Sequence, residues 1–133
     1  MIEEMIDFDR AVDYAIEWIE KFSHWDETLL LVLADHECGY ITGPGSDPTW
    51  QPLINYGPGL LPGFEWHHDF HTNQLVPLFV KGVGTEVFLQ KANKTDPLWG
   101  AYLDNIDISQ AIREIWANSK ASIESPIDNW ALY

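Results

Sequence analysis

Thr28-Leu29-Leu30-Leu31-Val32-Leu33-Ala34-Asp35-His36-Glu37 is the stretch on which the fold turns. Six apolar residues, Leu29 to Ala34, run directly into a carboxylate and an imidazole. A continuous apolar run of this length reads as a strand buried on both faces. Such strands belong to parallel sheets, and in open α/β sheets ligands bind just beyond the carboxyl ends of the strands. Asp35 and His36 fall at that point, and both side-chain types ligate zinc.

Upstream, residues 5–22 predict an amphipathic helix: Phe8, Ala11, Val12, Ala15, Ile16, Ile19 and Phe22 recur at helical spacing. Helix followed by the 28–34 core strand is half of a βαβ crossover, whose other strand would precede the helix. Downstream, Gly39 to Gly43 suits a short strand extension. The long loop 44–70 carries Pro44, Pro48, Pro52, Pro58 and Pro62 among several glycines, a density that blocks helix and ladder alike. Its Trp50, Leu53, Tyr56, Leu60, Leu61, Phe64 and Trp66 predict a packed segment covering a site or an interface.

A second apolar strand is expected over 75–80, with Pro77 marking an edge or a strand start. Thr85 to Leu89 suits a further short strand, and 90–104 reads as a polar loop. Asp107-Ile108-Ser109-Gln110 matches a capping box with Asp107 as cap. It opens a helix over 108–118 with Ile108, Ala111, Ile112, Ile115 and Trp116 on one face. The tail 119–133 has no periodicity. The whole, 1–133, reads as a single partial α/β domain.

The formal net charge is −14, with 7 basic against 21 acidic residues in 133. So few cations cannot track phosphates, which excludes nucleic acid and disfavours an anionic membrane surface. The apolar run is far too short to span a bilayer, and the first residues lack the basic start and apolar core of a signal peptide. Cys38 is the single cysteine. It allows no intrachain disulfide and no thiolate zinc site, and reads as a small buried filler.

His36, His67, His68 and His71 all lie at or beyond the end of the first strand. His67-His68-Asp69-Phe70-His71 is dense enough to suggest a metal site, although spacing on a loop sets no geometry. The sharper expectation joins Asp35 and His36, at one strand end, with His71 just before the next strand. The plainer reading makes His36 a strand-capping hydrogen bonder and His71 a surface residue.

Four segments together resemble the alkaline phosphatases. Thr28 to Glu37, TLLLVLADHE, resembles the family's strand and metal pair. His71 to Gly82, HTNQLVPLFVKG, resembles its HT-x-x-x-VPL-x-x-x-G segment. Asp104-Asn105-Ile106-Asp107-Ile108 resembles its D-N-T-D-I entry to the last helix, and Glu4 to Val12 is similar to the helix after its central acidic segment. Sulfatases and cofactor-independent phosphoglycerate mutases share such an Asp-His pair, but the HT…VPL segment favours alkaline phosphatase.

The resemblance implies the C-terminal portion of a mainly parallel sheet flanked by helices, incomplete as it stands. It implies a phosphomonoesterase with two zinc ions and a nearby magnesium. Asp35 and His36 would ligate the zinc that polarises the attacking oxygen, and His71 the zinc that stabilises the leaving oxygen. The nucleophile and the remaining ligands are expected upstream, so no catalytic residue is assigned here and the chain alone is expected to be inactive. The resemblance further implies phosphate monoesters as substrates and a periplasmic or extracellular setting. Unpaired apolar edges predict a homo-oligomer. Two other readings stand beside this one: a non-catalytic metal-binding or interaction module using His67, His68, Asp69 and His71, and a small structural domain without a ligand.

Overall fold

The computed structural model describes residues 2–47 and 49–122. The chain forms two compact units: Met1–Val32 with Val80–Tyr133, and Leu33–Phe79. It is a mixed α/β protein in the order α1 (Ile2–Phe22), β1 (Leu29–Leu33), β2 (Leu78–Gly82), α2 (Thr85–Lys91), β3 (Lys94–Asp96), β4 (Gly100–Tyr102) and α3 (Asn105–Ser122).

α1 begins three residues earlier than expected, with Glu3 and Glu4 in the first turn and Lys21 in the last, each favoured by the helix dipole. Its apolar stripe is only partly covered. Ile19 is buried, Val12, Ala15 and Ile16 are half-buried, and Ile2, Met5, Ile6 and Phe8 stay exposed. The turn after it is closed by the hydroxyls of Ser23 and Thr28, 2.7 Å apart, and by the Thr28 N–H donating to the His24 carbonyl at 3.0 Å.

β1 pairs with β2 in a two-stranded sheet. The N–H of Val83 donates to the carbonyl of Thr28 at 3.1 Å, so the end of β2 lies beside the start of β1 and the strands run antiparallel. A Cβ on Gly82 would sit 1.9 Å from the Thr28 carbonyl oxygen, so the approach requires glycine. The parallel sheet expected from the apolar run is therefore not what pairs here, and among the described residues both sheets are antiparallel. The first four residues of β1 are half-buried and Leu33 is exposed, so the strand is not covered on both faces. Pro77 ends up immediately before β2, where its missing N–H costs the ladder nothing.

Two segments differ from expectation. Thr85 to Leu89 is helical, within α2, although its Thr, Val and Phe favour strand. The neighbours Val87 and Phe88 are both buried, and consecutive strand residues would face opposite ways. α2 packs on α3, and Lys91 and Glu114 pair across them at 3.4 Å. A Cβ on Gly84 would lie 2.4 Å from Cδ1 of Ile115.

The expected polar loop 90–104 contains the β3–β4 hairpin, in register Lys94↔Tyr102, Thr95↔Ala101 and Asp96↔Gly100. Asp96 Oδ1 accepts the N–H groups of Leu98 and Trp99, both at 2.8 Å, and Gly100, paired with Asp96, takes a positive φ of 82° that favours glycine.

α3 starts at Asn105 rather than 108, and the capping box shifts with it. Asp107 Oδ2 accepts the Asp104 N–H at 2.9 Å, while the Asp107 N–H donates to the Asp104 carbonyl at 3.0 Å. Asp107 is thus the residue that reaches back, and Asp104 holds the cap position. The helix runs through 119–122, where a tail was expected, and residues 123–133 of that tail lie outside the described residues. Ala111, Val87, Phe88 and Ile19 form the buried apolar core. No described helix is long and apolar enough to cross a membrane.

Candidate metal-ligand site

Among its described residues the unit Leu33–Phe79 contains no helix, and apart from the ends of β1 and β2 its order comes from loop contacts. Thr42 and Glu65 form an isolated antiparallel bridge, and Ile54 and Gly63 form another. The described residues of 44–70 are thus irregular apart from these bridges, as their Pro and Gly content predicts. Of the large side chains expected to pack, Phe64 is half-buried with its ring edge-on to Trp66 at 5.9 Å, while Trp50, Leu53, Tyr56, Leu60, Leu61 and Trp66 are exposed.

The residues after β1 lie against the residues before β2. The Gly39 N–H donates to the Phe70 carbonyl at 2.8 Å, and the His67 N–H donates to the Gly39 carbonyl at 3.1 Å. Gly39 and Tyr40 both take positive φ, 75° and 48°. A Cβ on Gly39 would come within 2.5 Å of the Trp66 ring, so the turn depends on glycine. A non-glycine residue such as Tyr40 in this region is uncommon and is a feature of constrained sites.

This arrangement brings His36 and His71 together. Their ring centroids are 4.2 Å apart with 30° between planes. Asp35 Oδ1 accepts the His36 N–H at 3.0 Å, and Asp35 Oδ2 lies 3.5 Å from His36 Nε2. His36 Nδ1 lies 2.7 Å from the Glu37 carbonyl, which can only accept, so Nδ1 carries the proton. In the neutral ring Nε2 then presents a lone pair on the side of Asp35. A backbone carbonyl behind the opposite ring nitrogen is the usual support of a metal-binding histidine.

Asp35, His36 and His71 are all exposed at the surface. No group of three or more His, Cys, Asp or Glu side chains among the described residues is arranged to hold one metal ion. The three side chains are juxtaposed, but they do not complete a coordination sphere.

The sequence-dense histidines are used differently. His67 Nε2 lies 2.7 Å from the hydroxyl of Thr42, which is buried and donates to the Gly43 carbonyl at 3.1 Å. His68 stacks between Tyr40 and Phe70, at 6.4 Å and 5.5 Å between centroids. Cys38 is exposed, not the buried filler expected.

Two residues beside His36 and His71 were not singled out from sequence: Glu37 and Thr72. The Glu37 carboxylate accepts the Tyr40 N–H on one oxygen, and both the Thr72 N–H (2.9 Å) and the Thr72 hydroxyl on the other. The Thr72 hydroxyl chiefly, helped by the two backbone N–H groups and opposed by partial burial, holds the Glu37 carboxyl below the ordinary range. The available signal was local: Glu37 directly follows Asp35-His36, and Thr72 directly follows His71.

No protein-family model, curated protein or solved structure matches this chain.

Proposed function

We propose that this chain supplies zinc-ligating side chains to a phosphomonoester hydrolase of the alkaline phosphatase type. Asp35 and His36 serve one ion and His71 a second. The observation that carries the reading is the approach of the His36 and His71 rings, 35 positions apart in sequence, to 4.2 Å. Two-metal phosphoryl-transfer centres hold their ions roughly 3.5–4 Å apart, a spacing that histidines this close can serve.

The donor set fits zinc in kind: neutral imidazole nitrogen and carboxylate oxygen. It is short in number, since a stable site takes three or four ligands and this chain offers two to one ion and one to the other. The nucleophile, the remaining ligands and the magnesium site belong to residues outside this sequence, as does the parallel sheet of the family. Zinc bound there would polarise a phosphoryl oxygen. The chain's own groups do the positioning: Asp35 fixes the His36 backbone, the Glu37 carbonyl sets the His36 tautomer, and the 39–42 turn carries residues 67–71 into place. Phosphate monoesters are the substrates of the complete enzyme, and the resemblance assigns it a periplasmic or extracellular setting.

Zinc titration of the unaltered chain, Asp35→Ala and His67→Ala tests the reading. Weak binding lost in Asp35→Ala and kept in His67→Ala is expected, with no turnover of p-nitrophenyl phosphate. Binding lost in His67→Ala and kept in Asp35→Ala would transfer the function to the His67/His68/Asp69/His71 module. Absence of binding in the unaltered chain would remove both.

A further inference from the structure

We propose that Glu37 is a positioning residue, whose carboxylate locks the two histidines face to face by clamping Thr72. The consequence for metal binding rests on the zinc reading above, whereas the clamp itself stands on the geometry alone. Glu37 is adjacent to His36 and Thr72 is adjacent to His71, so a bond between them ties the two rings at their roots. Glu37 and Thr72 are 35 positions apart, and two contacts join them: the Thr72 N–H to Oε2 at 2.9 Å, and the Thr72 hydroxyl to the same oxygen. The other oxygen accepts the Tyr40 N–H and closes the turn that contains the left-handed Gly39 and Tyr40.

The demand on this side chain is specific. Both oxygens meet donors, and two of the three donors are backbone N–H groups, which cannot reverse. The third, the Thr72 hydroxyl, already accepts the Gln74 N–H at 3.2 Å and so turns its own proton to Glu37. Only a group that accepts on both ends satisfies this, which an ionised carboxylate does and an amide does not. Glutamine has nearly the same shape, yet it must set its NH2 against an N–H, leaving a donor unpaired. Aspartate is one methylene short of spanning both sides of the turn.

Histidine-selective ¹³C NMR of the full chain without metal reads the clamp directly. A nuclear Overhauser contact between the His36 and His71 ring protons is expected in the unaltered chain. It should be lost in Glu37→Gln, weakened in Thr72→Val and restored in Thr72→Ser, which keeps the hydroxyl. The His67 resonances, set by its bond to Thr42, should stay unchanged and report that the unit is folded. If Glu37→Gln disturbs His67 as well, Thr72→Val, which removes only the hydroxyl, decides the matter. An inter-ring contact at full strength in Glu37→Gln, or in that case in Thr72→Val, would overturn the proposal, as would its absence from the unaltered chain.

Zinc alone is then added. Affinity about 10–100-fold weaker in Glu37→Gln is expected, the size of effect that groups orienting metal ligands produce. An intact ring contact with no zinc bound to the unaltered chain would sink the zinc reading and leave the clamp in place. Equal zinc affinity in the two proteins would overturn the role assigned to Glu37 in positioning ligands.

Discussion

His36 and His71 lie with ring centroids 4.2 Å apart, at the end of one strand and before the start of its antiparallel partner. Antiparallel pairing brings the two segments side by side. Where β1 ends, β2 begins beside it, so the residues just beyond one and just before the other are neighbours. Asp35 and His36 belong to one proposed ion and His71 to another, which sets an expectation for coupling. Asp35→Ala and His36→Ala should each weaken zinc binding at least about tenfold, and the double variant should be little worse than either single, because they remove ligands of the same ion. His71→Ala should act additively with either. Isothermal titration of the unaltered chain, the three single variants and their three pairwise combinations decides this, and full additivity of Asp35→Ala with His36→Ala would count against the shared ion.

Glycine substitutions separate backbone strain from steric conflict. Gly39 and Gly45 have nearly the same left-handed φ, 75° and 78°. A Cβ on Gly45 meets nothing within 4 Å, while one on Gly39 strikes the Trp66 ring at 2.5 Å and lies 3.2 Å from the His68 carbonyl. Gly45→Ala should therefore cost only the left-handed penalty, about 1 kcal/mol. Gly39→Ala adds overpacking of about 1–3 kcal/mol. Urea unfolding followed by tryptophan fluorescence should show the larger loss for Gly39→Ala, and equal losses would mean that the Trp66 contact yields freely.

What the sequence discloses follows from how local each cause is. α1 and α3 were legible because Val12, Ile16 and Ile19, or Ala111 and Ile115, repeat at helical spacing whatever surrounds them. The pairing of Asp35-His36 with His71 was expected on the wrong ground: parallel strand ends were to bring them together, and an antiparallel pair does so instead. Strand direction is set by which partner is available, and the apolar run of β1 carries no record of it. α2 was missed because its Thr, Val and Phe suit a strand in isolation, and contact with α3 overrides that preference. The β3–β4 hairpin was missed because its signal is confined to one Asx turn and one left-handed glycine. Glu37 and Thr72 were in plain view, but nothing in one segment shows that it hydrogen-bonds to another 35 positions away.

Self-association should follow from the uncovered half of α1. Ile2, Met5, Ile6 and Phe8 prolong the stripe that Val12, Ile16 and Ile19 bury in part, and all four are exposed. The net charge of −14 opposes contact between copies, and salt screens that repulsion, the Debye length falling from about 30 Å at 0.01 M to about 3 Å at 1 M. Association measured by sedimentation should thus strengthen as salt rises. Met5→Glu with Phe8→Glu should weaken it by about tenfold or more, since each buried side chain of this size contributes roughly 1.5–3 kcal/mol. A monomer at every salt concentration would rule the interface out.

The tie between the hairpin and α3 should respond to alkaline pH. Lys94, in β3, bonds Asp104 at the cap position of α3, and Asp107 and Tyr102 add to the negative field around it. The Asp104 hydrogen bond chiefly, opposed by burial, holds the Lys94 ammonium above its ordinary value of 10.5. A cation whose pKa is raised on folding contributes stability in full below its unfolded value, and the contribution disappears as pH rises through the folded value. The window therefore opens above pH 10.5 and not at neutral or acid pH. Lys94→Met should be slightly less stable than the unaltered chain at pH 8, as is typical of exposed pairs. The difference should shrink toward zero as both are carried above the ordinary lysine range. A difference that is constant across that range would show that Lys94 acts through its aliphatic stem and not through its charge.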